Sequence, residues 1–155
     1  MAAAGSAEEQ LDGFIAKFTP EIAAMTHAVL KKMRKRLPTA VELVYDNYNA
    51  LAIGFAPGEK TSEAIFSIAV YPRWVSLFLL QAKGVPDPEK LLRGSGSVAK
   101  HIVLKSPTDL DLPAVRDLMA AALERAKAPL AEKGKGRVVV KSVSAKQRPR
   151  RPAER

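Results

Sequence analysis

The chain has 155 residues, 47% of them apolar, enough for one domain with its own core and too apolar for a disordered or fibrous protein. It has no cysteine, which excludes disulfides, thiolate metal sites and cysteine nucleophiles and fits a reducing compartment. The net charge of +9 belongs to one end: residues 1–132 hold 16 Lys and Arg against 15 Asp and Glu, whereas residues 133–155 hold 9 against Glu154 alone.

The first ten residues, MAAAGSAEEQ, lack a basic n-region, and Glu8 and Glu9 stand where a secretory signal needs apolar side chains. Ser6 and Glu9 have the spacing of a capping box and predict a helix over 7–18, with Leu11, Phe14, Ile15 and Phe18 on one face. Thr19-Pro20 restarts the chain, Thr19 as a cap and Pro20 at the first helical position. Ile22, Met25, Val29 and Met33 carry this second helix to about residue 36. It ends in Lys31-Lys32-Met33-Arg34-Lys35-Arg36, cations that suit a helix C-terminus and exceed what capping needs, so a phosphate contact is a second reading.

After Leu37-Pro38 the apolar period changes. Residues 41–45 and 50–55 read as strands, with Pro57-Gly58-Glu59-Lys60 as a turn. Residues 64–71 and 74–81 form a further pair joined by Pro72-Arg73, which implies a tight antiparallel connection. That proline and arginine also break the most apolar stretch, 64–82, so no membrane span is expected and the cytoplasm is the expected location. A short helical piece over 87–92, the flexible Gly94-Ser95-Gly96-Ser97, a strand over 100–105 and a helix opened by Asp111-Leu112-Pro113 follow. The last helix should bury Val115, Leu118, Met119, Ala122 and Ala126. The expected fold is α+β, an antiparallel sheet of about five or six strands with helices packed on one face, over residues 1–132. The basic tail, 133–155, is expected to be largely disordered, with a possible edge strand over 137–143 that leaves 144–155 free.

The order of elements resembles that of the YdhG-like domain family, small bacterial domains of largely unknown function. The resemblance covers about residues 7–128 and is carried by the strand end Val44-Tyr45, the hairpin 67–80, the segment Val85-Pro86-Asp87-Pro88-Glu89-Lys90-Leu91-Leu92-Arg93-Gly94-Ser95-Gly96, Lys100-His101-Ile102-Val103-Leu104 and the closing helix. It implies the same α+β fold. Some members are described as frataxin-like iron chaperones, so it also implies iron handling as one function. Where many members carry Tyr-Gly-Met-Pro after the first strand, this chain has Tyr45-Asp46-Asn47-Tyr48.

Function is sought first in that departure. Asn and Asp suit a turn between strands, yet a turn needs no two tyrosines, and Tyr rings with Asn amides are common pocket lining. Arg73 and Trp74 at the neighbouring hairpin could add a cation and a stacking surface. The ligand-binding candidates are Tyr45, Asn47, Tyr48, Asn49, Arg73 and Trp74, with Lys100 and His101 from the fifth strand. Arg93-Gly94-Ser95-Gly96-Ser97 with Lys100 could cradle an anion, but the glycines follow a helical piece and precede a strand, the reverse of a phosphate loop. His101 with Ser95 or Ser97 lacks the strained turn of a nucleophilic site. Glu8, Glu9, Asp12, Glu42 and Asp46 are the carboxylates that could hold iron, but they read first as an ordinary solvated surface or a helix N-terminus that favours anions. Lys146, Arg148, Arg150 and Arg151 in the tail are nucleic-acid candidates through phosphate contacts, without an interleaved aromatic for base stacking. These residues predict a non-enzymatic domain that needs no cofactor and binds a small molecule or partner near the 45–49 turn. Nucleic acid through the tail and iron are the alternatives.

Overall fold

A computed structural model describes residues 5–153. Among them are three α-helices, α1 (Ala7–Ile15), α2 (Pro20–Arg36) and α3 (Pro113–Glu124), and six strands. The strands are β1 (Val41–Asp46), β2 (Leu51–Ala56), β3 (Phe66–Val70), β4 (Val75–Leu79), β5 (Lys100–Leu104) and β6 (Val138–Val143). They form one mixed sheet in the order β5-β4-β3-β2-β1-β6. The fold is α+β.

The caps form as the sequence dictates. Ser6 Oγ accepts from the Glu9 N–H and Glu9 Oε1 accepts from the Ser6 N–H, at 3.1 and 2.9 Å. Thr19 Oγ1 accepts from the Ile22 N–H at 3.3 Å, and Pro20 opens α2. Alternation then sorts the strand residues. Leu51, Ile53 and Phe55 of β2, Phe66, Ile68 and Val70 of β3, and Val75, Leu77 and Leu79 of β4 join one buried cluster with Leu11, Ile15, Val29, Met33, Val115 and Leu118 of the helices. All three helices therefore cover one face. Phe66 is fully buried on a central strand, where truncation to Ala costs about 3–5 kcal/mol. The other face carries Ala52, Gly54, Ser67 and Ala69, with a small apolar cluster of Val41, Leu43, Ala56 and Ala64 toward β1. Small residues on that face leave room over the sheet.

The structure departs from the sequence expectations at four places. First, residues 87–92 are not helical. The Asp87 carboxylate accepts from the Leu91 and Leu92 N–H groups, both at 2.9 Å, and Lys90 takes a left-handed φ of 53°, which a helix cannot continue through. Second, β6 runs parallel to β1 and makes the sheet mixed rather than antiparallel. The chain leaving α3 crosses back to the start of β1, where the Gly136 N–H donates to Pro38 O and the Glu42 N–H to Arg137 O. Third, residues 144–153 are not free. The Ser144 N–H donates to Asp46 O at 2.8 Å, the Arg148 N–H donates to Tyr48 O at 2.9 Å, and Arg150 is buried. Residues 154–155 lie outside the described part.

The fourth place is the cationic end of α2, which is not simply solvated. Lys32 and Arg36 pair with Asp111 at 2.6 and 3.1 Å, and Arg36 also donates to Leu110 O at 2.7 Å. Arg34 makes two bonds to Glu42, at 2.7 and 2.9 Å, and one to Glu8 at 3.0 Å. Three of the five cations thus tie α2 to other elements, and Lys31 and Lys35 stay exposed.

Candidate functional site

Two turns build the site. The β1–β2 turn closes with the Asn47 N–H on Ala50 O at 3.0 Å, which lifts Asn47, Tyr48 and Asn49 above the end of the sheet. The β3–β4 hairpin closes with the Tyr71 N–H on Trp74 O at 2.9 Å around Pro72 and Arg73. That closure sets the two flanking rings side by side, stacked with centroids 4.7 Å apart and planes 20° apart. Trp74 is nevertheless 42% exposed and Tyr48 43%.

Between these turns lie two adjoining hollows. One, of about 510 Å³, is floored by Ala52, Ser67 and Ala69 and walled by Asn47, Tyr48, Asn49, Tyr71 and Phe78. The other, of about 610 Å³, is lined by Asn49, Tyr71, Pro72, Arg73, Trp74, Arg148 and Pro149. Asn49 and Tyr71 belong to both. Sizes of this order suit small ligands.

The structure therefore brings together Asn47, Tyr48, Asn49, Arg73 and Trp74 from the predicted set. It leaves out three. The Tyr45 hydroxyl bonds to the Thr61 hydroxyl away from the hollows. The Lys100 Nζ donates to Gly94 O at 3.1 Å and lines a separate depression with Ser95, Gly96 and Ser97. His101 stacks on Phe78, centroids 4.9 Å apart, and so stands one ring behind the first hollow. Sequence reading missed Tyr71 and Phe78. The two-residue hairpin connection was the available signal for Tyr71, since it forces residues 71 and 74 to face each other.

The tail candidates divide. Arg148 comes into the site, its guanidinium 5.8 Å from the Tyr48 ring centroid, and Lys146 is exposed nearby in sequence. Arg150 turns inward, its Nη2 2.7 Å from the Asp46 carboxylate, and Arg151 donates to Lys17 O at the end of α1. Both cations tie the tail to the domain, Arg150 as a buried group and Arg151 as an exposed one. The aromatic partner that the tail lacks in sequence is supplied in space by Tyr48.

Of the acidic candidates, Glu8, Glu42 and Asp46 are engaged with cations, whereas Asp12 is exposed and forms no ion pair among the described residues. Asp46 accepts from Lys17 at 2.8 Å as well as from Arg150. Burial pushes its carboxyl up, but hydrogen bonds from Lys17, Arg150 and Gln147 outweigh that and hold it below the usual aspartate range. Glu42 and Glu8 share Arg34. Burial raises the Glu42 carboxyl despite those bonds, and the bond to Glu42 holds Arg34 firmly protonated. Glu9 is spent on its capping box. Among the described residues no three His, Asp, Glu or Cys side chains come together as a metal-binding group. None of the described helices is long and apolar enough to cross a membrane.

No family model, curated protein or solved structure matches this chain.

Proposed function

We propose that the chain is a cytoplasmic binding domain that holds a small molecule with a flat apolar part and a negative charge in the hollows between the β1–β2 and β3–β4 turns. The observation that carries this reading is the stacked Tyr71–Trp74 pair lining one hollow with Arg73 and Arg148. Rings give contact area at little entropic cost, guanidinium groups orient an anion, and Asn49 offers both a donor and an acceptor. The absence of cysteine supports the reducing location. The element order that resembles the YdhG-like family supports placing the fold with that family.

Thermal melting of the full chain against a panel of anionic aromatic compounds and their neutral analogues tests the reading. A ligand at 100 times its Kd should add about 2.7 kcal/mol of stability and raise the Tm. Equal melting with every anionic and neutral member of the panel would sink it.

A nucleic-acid reading is favoured by one observation, the placement of Arg148 beside Tyr48 and in the hollow that holds Trp74. It is narrower than composition implies, because Arg150 and Arg151 are bonded within the domain.

A further inference from the structure

We infer that the site takes one unpaired nucleotide unit, its base against Trp74 and its phosphate between Arg73 and Arg148. The inference rests on the binding reading above and names its ligand class.

Charge accounting selects the phosphate. Arg34, Arg36, Arg116, Arg137 and Arg150 each pair with a carboxylate. Arg73 and Arg148, like Arg93, Arg125 and Arg151, form no ion pair among the described residues, but these two line one hollow together, and no carboxylate lines it. Two exposed guanidinium groups beside one hollow, with no internal counter-charge, are free to receive an external anion. A phosphate monoester carries about −1.5 to −2 at neutral pH and presents three strong acceptors, a closer match to two arginines than a single carboxylate.

Ring chemistry selects the base. One face of the Trp74 indole is taken by Tyr71, and the side chain is still 42% exposed, so a flat ring can be added to the stack. Base-on-aromatic stacking tolerates any base, because every base has a π face. Asn49, at the junction of the two hollows, can donate to and accept from a base edge. The hollow is large enough for one such unit and is open, which suits either a free nucleotide or one residue of a strand.

Trp74 is the only tryptophan, so its emission reports on the site directly. The full chain is titrated with AMP, adenosine, inorganic phosphate, a short single-stranded DNA oligonucleotide and a bicyclic aromatic sulfonate. The inference expects AMP or the oligonucleotide to quench Trp74, adenosine to quench far more weakly and phosphate not at all. Arg73→Ala and Arg148→Ala should each weaken that binding by about tenfold, whereas Lys31→Ala, an exposed cation on α2, should leave it unchanged. Calorimetry on Trp74→Ala should show the loss of binding that fluorescence can no longer report. Quenching by AMP assigns a free nucleotide. Quenching by the oligonucleotide alone, weakening with salt, assigns a strand. If the sulfonate quenches and no nucleotide does, the nucleotide assignment falls and the binding reading stands. If no probe quenches, both fall. Nucleotide binding that neither arginine substitution changes overturns the inference as well.

Discussion

Arg150 Nη2 lies 2.7 Å from Asp46 Oδ1, across 104 residues of sequence, and both side chains are buried. The same guanidinium donates to Asn47 O at 2.5 Å and lies 5.7 Å from the Phe18 ring centroid. Asp46 ends β1 and Asn47 begins the turn that walls the first hollow, so this ion pair fastens the tail at the edge of the candidate site. The pair is lopsided. Asp46 has a second cation in Lys17, whereas among the described residues Arg150 has no second anion, and its Nε and Nη1 atoms have no partner there.

That asymmetry predicts unequal mutational costs. Asp46→Ala strands a buried guanidinium and should cost about 3–5 kcal/mol. Arg150→Ala leaves Asp46 with Lys17 and should cost less, about 1–3 kcal/mol. Urea unfolding of both variants gives the comparison. A larger loss in Arg150→Ala would show that Lys17 does not compensate Asp46.

Acid should act through the same carboxylate. The folded Asp46 carboxyl sits below its ordinary value of about 3.9, so its stabilisation is fully present above that value and is lost as pH falls through the lower folded value. Glu59 and Asp111, held low chiefly by Arg137 and Lys32, add to the same acid limb from the surface. Asp46→Asn should therefore be less stable than wild type at neutral pH. The two proteins should converge as pH falls below about 4. Parallel stability curves over that window would remove Asp46 from the acid response.

Much of the fold was legible because local chemistry decided it. Ser6 and Glu9 fixed one helix start, Thr19-Pro20 another, and the alternation of Leu51, Ile53 and Phe55 against Ala52 and Gly54 fixed which face of β2 is buried. The strand character of Val138-Val139-Val140 was also readable. Its parallel direction was not, because direction depends on where the chain returns after α3 and not on any residue of β6. The grouping of Asn49, Arg73 and Trp74 around one hollow was legible because it rests on hairpin geometry. Arg148 and Arg150 read alike, as cations in a polar tail. Only the position of Asp46 and Phe18 in space turns one inward and leaves the other at the site.

Gly136 predicts how β6 is seated. A Cβ built at this residue overlaps the Ala40 carbonyl oxygen, while its own N–H donates to Pro38 O at 2.9 Å. The close approach of two backbones at the start of the parallel pair requires glycine. Gly136→Ala should push β6 away from β1 and cost about 1–3 kcal/mol, as other overpacked sites do. Gly134→Ala is not an equivalent control, since Gly134 has φ of 113° and is strained by any side chain. Gly58, with open space around its Cβ position, is the fair comparison and should lose far less.

Hydrogen exchange can show whether the tail and the site move together. The Ser144 and Arg148 N–H groups donate to Asp46 O and Tyr48 O, so both amides should exchange slowly in the folded protein. They open with the tail alone, whereas amides of the central strands β2 and β3 need wider unfolding. Asp46→Ala should therefore speed exchange at Ser144 and Arg148 through tail opening, and at Ile53 and Ile68 only by as much as urea unfolding shows global stability to fall. Because Arg148 and Pro149 form one wall of the larger hollow, the same variant should also weaken any ligand held there, without touching Trp74 or Arg73. Rapid exchange at Arg148 in the unaltered chain would mean that this wall is open most of the time, and that ligand binding must first draw the tail down.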